Sequence, residues 1–334
     1  MTLKDIAEKA GVSMMTVSNV INGKHSRVSA ATIEKVNSII KEYNYVPNLS
    51  ARSLTVKSSH IIGVIVPLDD KEDNGTSVSY FDNPYVSSMI GVIEKELRDN
   101  GYFVMIRAVR SQDDLSILMR NWNVDGAIFL YPRLGDRFED SINAIVAETH
   151  LPVVLFDART DNPEVINVCS DLINRGHKKI AFVANYEGNP LLTDRFEGYR
   201  AAMEESGLGC DPDCIFSYSP SYEEGIAAGK AIAASALKIT GLVTTADICA
   251  IGIMEGARLG GLRIPTDLSV IGYDNLAVST YTTPKLTTIS QNVIKKAETA
   301  MELLLEKLRT GRVEQPHVQL DVELVERQST LSLL

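Results

Sequence analysis

Cysteine is scarce in this chain of 334 residues: there are four thiols, Cys169, Cys210, Cys214 and Cys249, and only the pair in CDPDC lies close together. Four scattered thiols make no disulfide framework, and CDPDC has no second Cys or His pair with which to complete a metal site. Long apolar runs are missing too. The longest strand-like run, Ile61 to Val66, falls far short of the ~20 residues a membrane helix needs. The opening MTLKDIAEKAGV mixes acids into its first turns, where a secretory signal would be continuously apolar. A cytoplasmic protein with no membrane partner is expected. No GxGxxG, Walker, HExxH or GxSxG string occurs, and Asp157, Asp247 and Asp274 have no neighbouring His to share acid–base work. The chain reads as neither an enzyme nor the holder of a cofactor.

What is present is a chain long enough for two or three compact units, 45% hydrophobic and 23% charged, which is the balance of a soluble globular protein. Its charge is unevenly placed. Residues 1–58 hold eight Lys or Arg against four acids, a net +4, while the remainder, with 25 cations against 39 acids, carries −14. A small basic head on a large acidic body suggests that the head meets a polyanion.

The head has helical periodicity in three short pieces. Thr2 and Asp5 form a start signal, after which Leu3, Ile6, Ala7 and Ala10 recur at helical spacing until Gly11. Ser13 caps a second helix, 14–21, with Val17, Val20 and Ile21 inward and Met14, Met15, Thr16, Ser18 and Asn19 outside, ending at Asn22-Gly23. A third starts at Ser29 and turns Ile33, Val36, Ile39 and Ile40 inward, with Tyr43 and Tyr45 at its end. Periodicity alone leaves two readings open, a helix-turn-helix that reads the major groove and a plain helical interaction module. The stretches TLKDIAEKAGVSMMTVSNVING and VSAATIEKVNSIIKEYNYVPNLSARSL decide for the first, because they resemble the DNA-binding head of the LacI/GalR family of bacterial repressors along their full length.

The resemblance implies that Thr2, Ser13, Thr16, Ser18 and Asn22 face phosphates or bases, and that Met14, Met15 and Asn19 stand where the family chooses its operator. It also implies a hinge helix in the segment after Pro47, with Asn48, Ser50, Ala51 and Leu54 at the DNA and Leu54 as the minor-groove wedge. The plain alternative is a linker. Apolar Leu49 and Leu54 suit an exposed tether poorly, and a segment this short forms no helix without support.

From His60 onward apolar strands alternate with amphipathic helices, in an order of strand, loop, helix, glycine and strand that is used twice. The expected architecture is an all-α helix-turn-helix head (1–46), a hinge helix and linker (47–59), and an α/β core of two doubly wound lobes (60–334). The first lobe is expected to take about 60–160 and 290–318, and the second about 161–289 and 319–334. This core resembles the periplasmic-binding-protein-like part of the same family. Between the strand-like VINV, ending at Val168, and IAFV, starting at Ile180, only eleven residues remain for a connection. Either a helical turn or two is lost there or VINV is no strand.

The likeness places Tyr85, Asp157, Arg195, Asp247, Asp274 and Gln291 at or near the effector pocket, with Arg195 and Asp274 in the best-matched stretches. A guanidinium donor facing a carboxylate acceptor beside an aromatic ring suits a polyhydroxylated ring, so a sugar or glycoside is the expected ligand. Many relatives have Asn where Ala246 stands, which removes one hydrogen-bonding group. The implied function is a homodimeric repressor on a near-palindromic double-stranded operator, switched by a small ligand between the lobes. VERQSTLSLL carries no heptads, which argues against a coiled-coil tetramer. A co-repressor-dependent regulator answering to a nucleobase or a phosphorylated protein is the alternative within the class, and a sugar receptor without a DNA role is the alternative outside it.

Overall fold

The Thr2 N–H donates to Asp5 Oδ2 at 2.8 Å and the Asp5 N–H donates to Thr2 Oγ1 at 3.3 Å, so the first helix, α1 (Leu3–Ala10), begins with two orphan donors satisfied reciprocally. The structure, a computed structural model, describes residues 1–21, 23–45, 58–67, 80–109, 111–130, 138–158, 160, 162–170, 180–187 and 189–331. The chain divides into two units, Met1–His60 and Ile61–Leu334.

In the first unit, α1, α2 (Met14–Ile21) and α3 (Ala30–Glu42) enclose Ile6, Ala7, Ala10, Val17, Val20, Val36 and Ile39. Five of these are large aliphatic side chains worth roughly 1.5–3 kcal/mol each on burial, a small core for a small unit. Lys9 adds a tie between α1 and the end of α3: its ammonium donates to Tyr43 Oη at 3.1 Å and lies 4.6 Å from the ring centroid.

In the second unit two six-stranded sheets are built on the same plan. The first runs β2 (Phe103–Val109), β1 (Ile61–Pro67), β3 (Gly126–Phe129), β4 (Val153–Phe156), β5 (Val165–Ser170) and β11 (His317–Leu320), all parallel. The second runs β7 (Ile215–Phe216), β6 (Ile180–Val183), β8 (Gly241–Thr244), β9 (Ser269–Tyr273), β10 (Thr287–Ser290) and an antiparallel β12 (Glu323–Val325). GAIF, VVLF and IAFV are buried at every position, as strands of parallel sheets covered on both faces are. The cover on one face of the first sheet is α4 (Pro84–Asp99) with α10 (Val293–Thr310), and on the other α5 (Gln112–Asn121) with α6 (Phe138–Thr149). The second sheet has α8 (Tyr222–Ala234) and α9 (Asp247–Leu259) on one face and α7 (Pro190–Glu205) on the other. Helices α8 and α9 touch backbone to backbone: a Cβ on Gly252 would be driven into the Tyr222 carbonyl oxygen.

Two expectations meet the topology here. VINV is a strand, part of β5, and its successor β6 lies in the other sheet, so the short connection joins two lobes rather than two strands of one sheet. Residues 171–179 of that connection lie outside the described residues. The lobe boundary expected near 161 is corrected to beyond Ser170, because β5 pairs with β4 and β11 of the first sheet. The chain thus changes lobes after β5, between β10 and α10, and between β11 and β12. No helix among the described residues is long and apolar enough to cross a membrane.

Candidate functional site

On the head, Ser13 Oγ accepts the Thr16 N–H at 3.1 Å and bonds Thr16 Oγ1 at 2.9 Å, fixing the start of α2. Behind that cap Val17 and Val20 are buried, which leaves Met14 and Met15 53% and 71% exposed and Thr16, Ser18 and Asn19 half-buried. Helix α2 carries no charged residue. It therefore offers a groove only apolar contact and neutral hydrogen bonds. Thr2 spends its Oγ1 acceptor on its own helix. Asn22, Asn48, Ser50, Ala51 and Leu54 lie outside the described residues.

In the second unit the expected ligand residues sit where a parallel sheet presents its loops, past the carboxyl ends of the strands. Asp157 follows β4 and Asp274 follows β9, both in the left-handed backbone region at φ 55° and 116°. Gln291 follows β10, and Tyr85 opens α4, where Asn83 Oδ1 accepts its N–H at 2.9 Å. Arg195 is on α7, with its guanidinium carbon 3.7 Å from the Tyr273 ring centroid and Nη1 donating to the Thr245 carbonyl at 2.7 Å. The next residue on α7, Phe196, stacks on Tyr186 at 4.2 Å and 8°.

Four of these side chains share one buried chain of hydrogen bonds, in which a fifth residue, Lys296 of α10, is the middle member. Tyr85 Oη donates to Asp157 Oδ2 at 2.8 Å, and Lys296 Nζ lies 2.6 Å from Asp157 Oδ1. Lys296 also donates to Gln291 Oε1, and Gln291 Nε2 donates to Asp274 Oδ1. Burial and the Asp157 carboxylate push the Tyr85 phenol well up, so it stays a donor. Burial and the neighbouring Asp247 likewise push Asp274 well above the usual carboxylate range, against the pull of Arg195. Lys296 is absent from the expectations drawn from sequence, yet its side chain is wholly buried.

Asp247 is bonded within the protein. Its Oδ2 accepts the Leu276 N–H at 2.8 Å and its Oδ1 accepts the Thr288 hydroxyl, so both oxygens are used inside the protein. Leu276, on the loop after β9, packs into the core of the first lobe, so Asp247 fastens a loop that bridges the lobes. Gly272 makes room for it, since a Cβ there would strike Oδ1. Burial pushes the carboxyl up to about 7 despite these bonds. Ala246, preceding it, is the N-cap of α9 and supplies no capping side chain.

Residues 2–48 match the lacI family of bacterial regulatory proteins, and residues 170–330 match a periplasmic binding protein-like domain. The HTH-type transcriptional repressor PurR of Pasteurella multocida is 31% identical over 100% of this chain and 99% of its own. Among solved structures, the lac repressor dimer bound to operator and the anti-inducer ONPF is 27% identical with a TM-score of 0.82, over 99% of both chains. A LacI family transcriptional regulator from Enterococcus faecium with bound ribose is 26% identical with a TM-score of 0.69, over 82% of this chain and 100% of its own.

Proposed function

The chain belongs to the lacI family of bacterial regulatory proteins, a DNA-binding transcriptional repressor with an effector-binding domain and not an enzyme, and from that premise we propose that it acts in the cytoplasm as a homodimer on a near-palindromic operator, released or held by a sugar or glycoside bound between its lobes. The observation that carries the effector half of this reading is the convergence of Arg195, Asp274 and Gln291, from three separate elements, beside the Tyr273 ring. Donor, acceptor and aromatic face together suit a ring bearing hydroxyls, each of which is donor and acceptor at once. The ribose-bound regulator of similar fold supports the same ligand class.

In the DNA half, Ser13, Thr16, Ser18, Asn22 and Thr2 are assigned to phosphates and base edges, and Met14, Met15 and Asn19 to operator choice. The exposure of two methionines on an uncharged helix supports this, since water is a poor neighbour for both. Asn48, Ser50, Ala51 and Leu54 are assigned to a hinge helix that forms on the minor groove. Leu54→Ala is then expected to lose affinity for the operator while binding to unrelated DNA, which rests on Lys and Arg, is kept; equal losses on both speak for a plain linker. A ligand moves the hinge only if it prefers one arrangement of the lobes to the other.

A nucleobase co-repressor is the second reading. A repressor named PurR that is 31% identical along the whole chain supports it, and the stacked rings of Tyr186 and Phe196, the latter next to Arg195 in sequence, suit a planar partner. Electrophoretic shift of a palindromic fragment from the gene's own upstream region, run with sugars and with nucleobases, separates these. A sugar-dependent shift supports the first reading, a base-dependent one the second, and no shift with any ligand or none removes both.

A further inference from the structure

From the last residue of β8 to the first of α9 the chain reads Thr244-Thr245-Ala246-Asp247, at the carboxyl end of the strand. Most of the side-chain hydrogen bonding in this turn is taken up within the protein. Thr244 Oγ1 donates to the Val183 carbonyl at 2.8 Å, Ala246 has no polar side-chain atom, and Asp247 is bonded through both oxygens to Leu276 and Thr288. Thr245 is the exception. The residue is only 3% exposed, yet its Oγ1 has no hydrogen-bond partner among the described residues. A buried hydroxyl left unpaired is costly, and a valine of the same shape would carry no such cost.

The hydroxyl stands next to the guanidinium of the site. The Thr245 carbonyl accepts Arg195 Nη1 at 2.7 Å. Along β8, Leu242 packs under α8 and α9 while Val243 packs on the α7 side. Thr245, two residues on from Val243, therefore continues the face to which α7 brings Arg195. It is buried as Arg195, Asp274 and Gln291 are, so the opening of the lobes that admits a ligand to them admits it to Thr245. We propose that Thr245 is a specificity-determining residue of the effector site, its hydroxyl sharing a hydrogen bond with a hydroxyl of the bound sugar. The inference rests on the effector reading above and deepens it, since it names the group through which the β8–α9 turn meets the ligand.

The test sets Thr245→Val beside Thr245→Ser on the full chain, with ribose, glucose, sucrose and cellobiose titrated by calorimetry and by their effect on the melting midpoint. Without sugar, Thr245→Val should melt about 2 °C or more above the unaltered chain, because it removes an unpaired hydroxyl and keeps the shape. For whichever sugar binds, the same variant should lose about five- to tenfold in affinity, while Thr245→Ser, which keeps the hydroxyl, should stay within about threefold. One singly deoxygenated form of that sugar should bind the unaltered chain and Thr245→Val alike, since it lacks the other half of the contact. A lower melting midpoint in Thr245→Val makes the hydroxyl structural and overturns the proposal, as does an affinity for the sugar that Thr245→Val leaves unmoved. If none of the four sugars binds, the sugar reading itself fails and takes the proposal with it, whatever the melting midpoint says of the hydroxyl.

Discussion

Lys296 and Asp157 stand 139 residues apart in sequence and 2.6 Å apart in the fold, both side chains buried. The pair joins the first turns of α10 to the end of β4, and through Gln291 it reaches Asp274 in the other lobe. A pair of this kind is weak evidence for net stability against an apolar alternative, but breaking it from one side is costly.

Lys296→Met alone should therefore destabilise the core by about 3–5 kcal/mol, since it strands the Asp157 carboxylate. Adding Asp157→Asn should recover a large part of that loss. Urea denaturation of the three proteins checks this, and equal midpoints for the single variant and the unaltered chain would show the pair to be dispensable.

Asp247 gives the core a pH dependence of definite sign. Its folded value of about 7 stands above the ordinary 3.8, so between about pH 4 and pH 7 the folded state holds the proton more firmly than the unfolded one. Stability from this group is complete below that window and is lost as pH rises through it, with a slope of up to about 1.4 kcal/mol per pH unit. Asp274, raised in the same direction, adds to the fall. Melting curves across the window should flatten in Asp247→Asn, and an unaltered slope would assign the effect elsewhere.

Gly252→Ala sets helix propensity against packing. Alanine gains about 1 kcal/mol in an exposed helix, but here its methyl meets the Tyr222 carbonyl across the α8–α9 contact. The clash should win and leave a net loss of about 1–3 kcal/mol in chemical denaturation. A stabilised variant would mean that the two helices part easily.

On DNA, Asn19 pairs best with adenine through N6 and N7, and Met14 and Met15 offer only apolar contact, as to thymine methyls. Selection from random duplexes is expected to return A/T where Asn19 reaches, and Asn19→Ala to relax that position at a cost of about 1–3 kcal/mol. An invariant G opposite Asn19 contradicts the assignment.

How much of the molecule is legible in its sequence depends on the range of the interactions. The head can be read residue by residue, since Thr2 with Asp5, Ser13 with Thr16 and the stripe Val36–Ile39 are contacts within a few positions. The repeated lobe plan is legible as well, because strands buried on both faces are continuous apolar runs. Partner choice is not. Nothing local in VINV says that it pairs with β4 and β11, so a sequence reading places it in the wrong lobe. Lys296 escapes the sequence reading although a signal exists: it falls one turn before Ala300 and two before Leu304 on the buried face of α10, where a lysine needs a partner. Asp247 is placed at the pocket by its position in the resemblance, and only the fold shows its oxygens turned to Leu276 and Thr288.

The measurement that bears most directly on the central claim is fluorescence anisotropy of a labelled near-palindromic duplex from the upstream region, titrated with the full chain in the absence and presence of ribose, sucrose and cellobiose. Binding of two chains per duplex, with an affinity that one sugar moves by about tenfold or more, is the predicted result. One chain per duplex, or an affinity no better than for scrambled DNA at every salt concentration and with every sugar, contradicts the account.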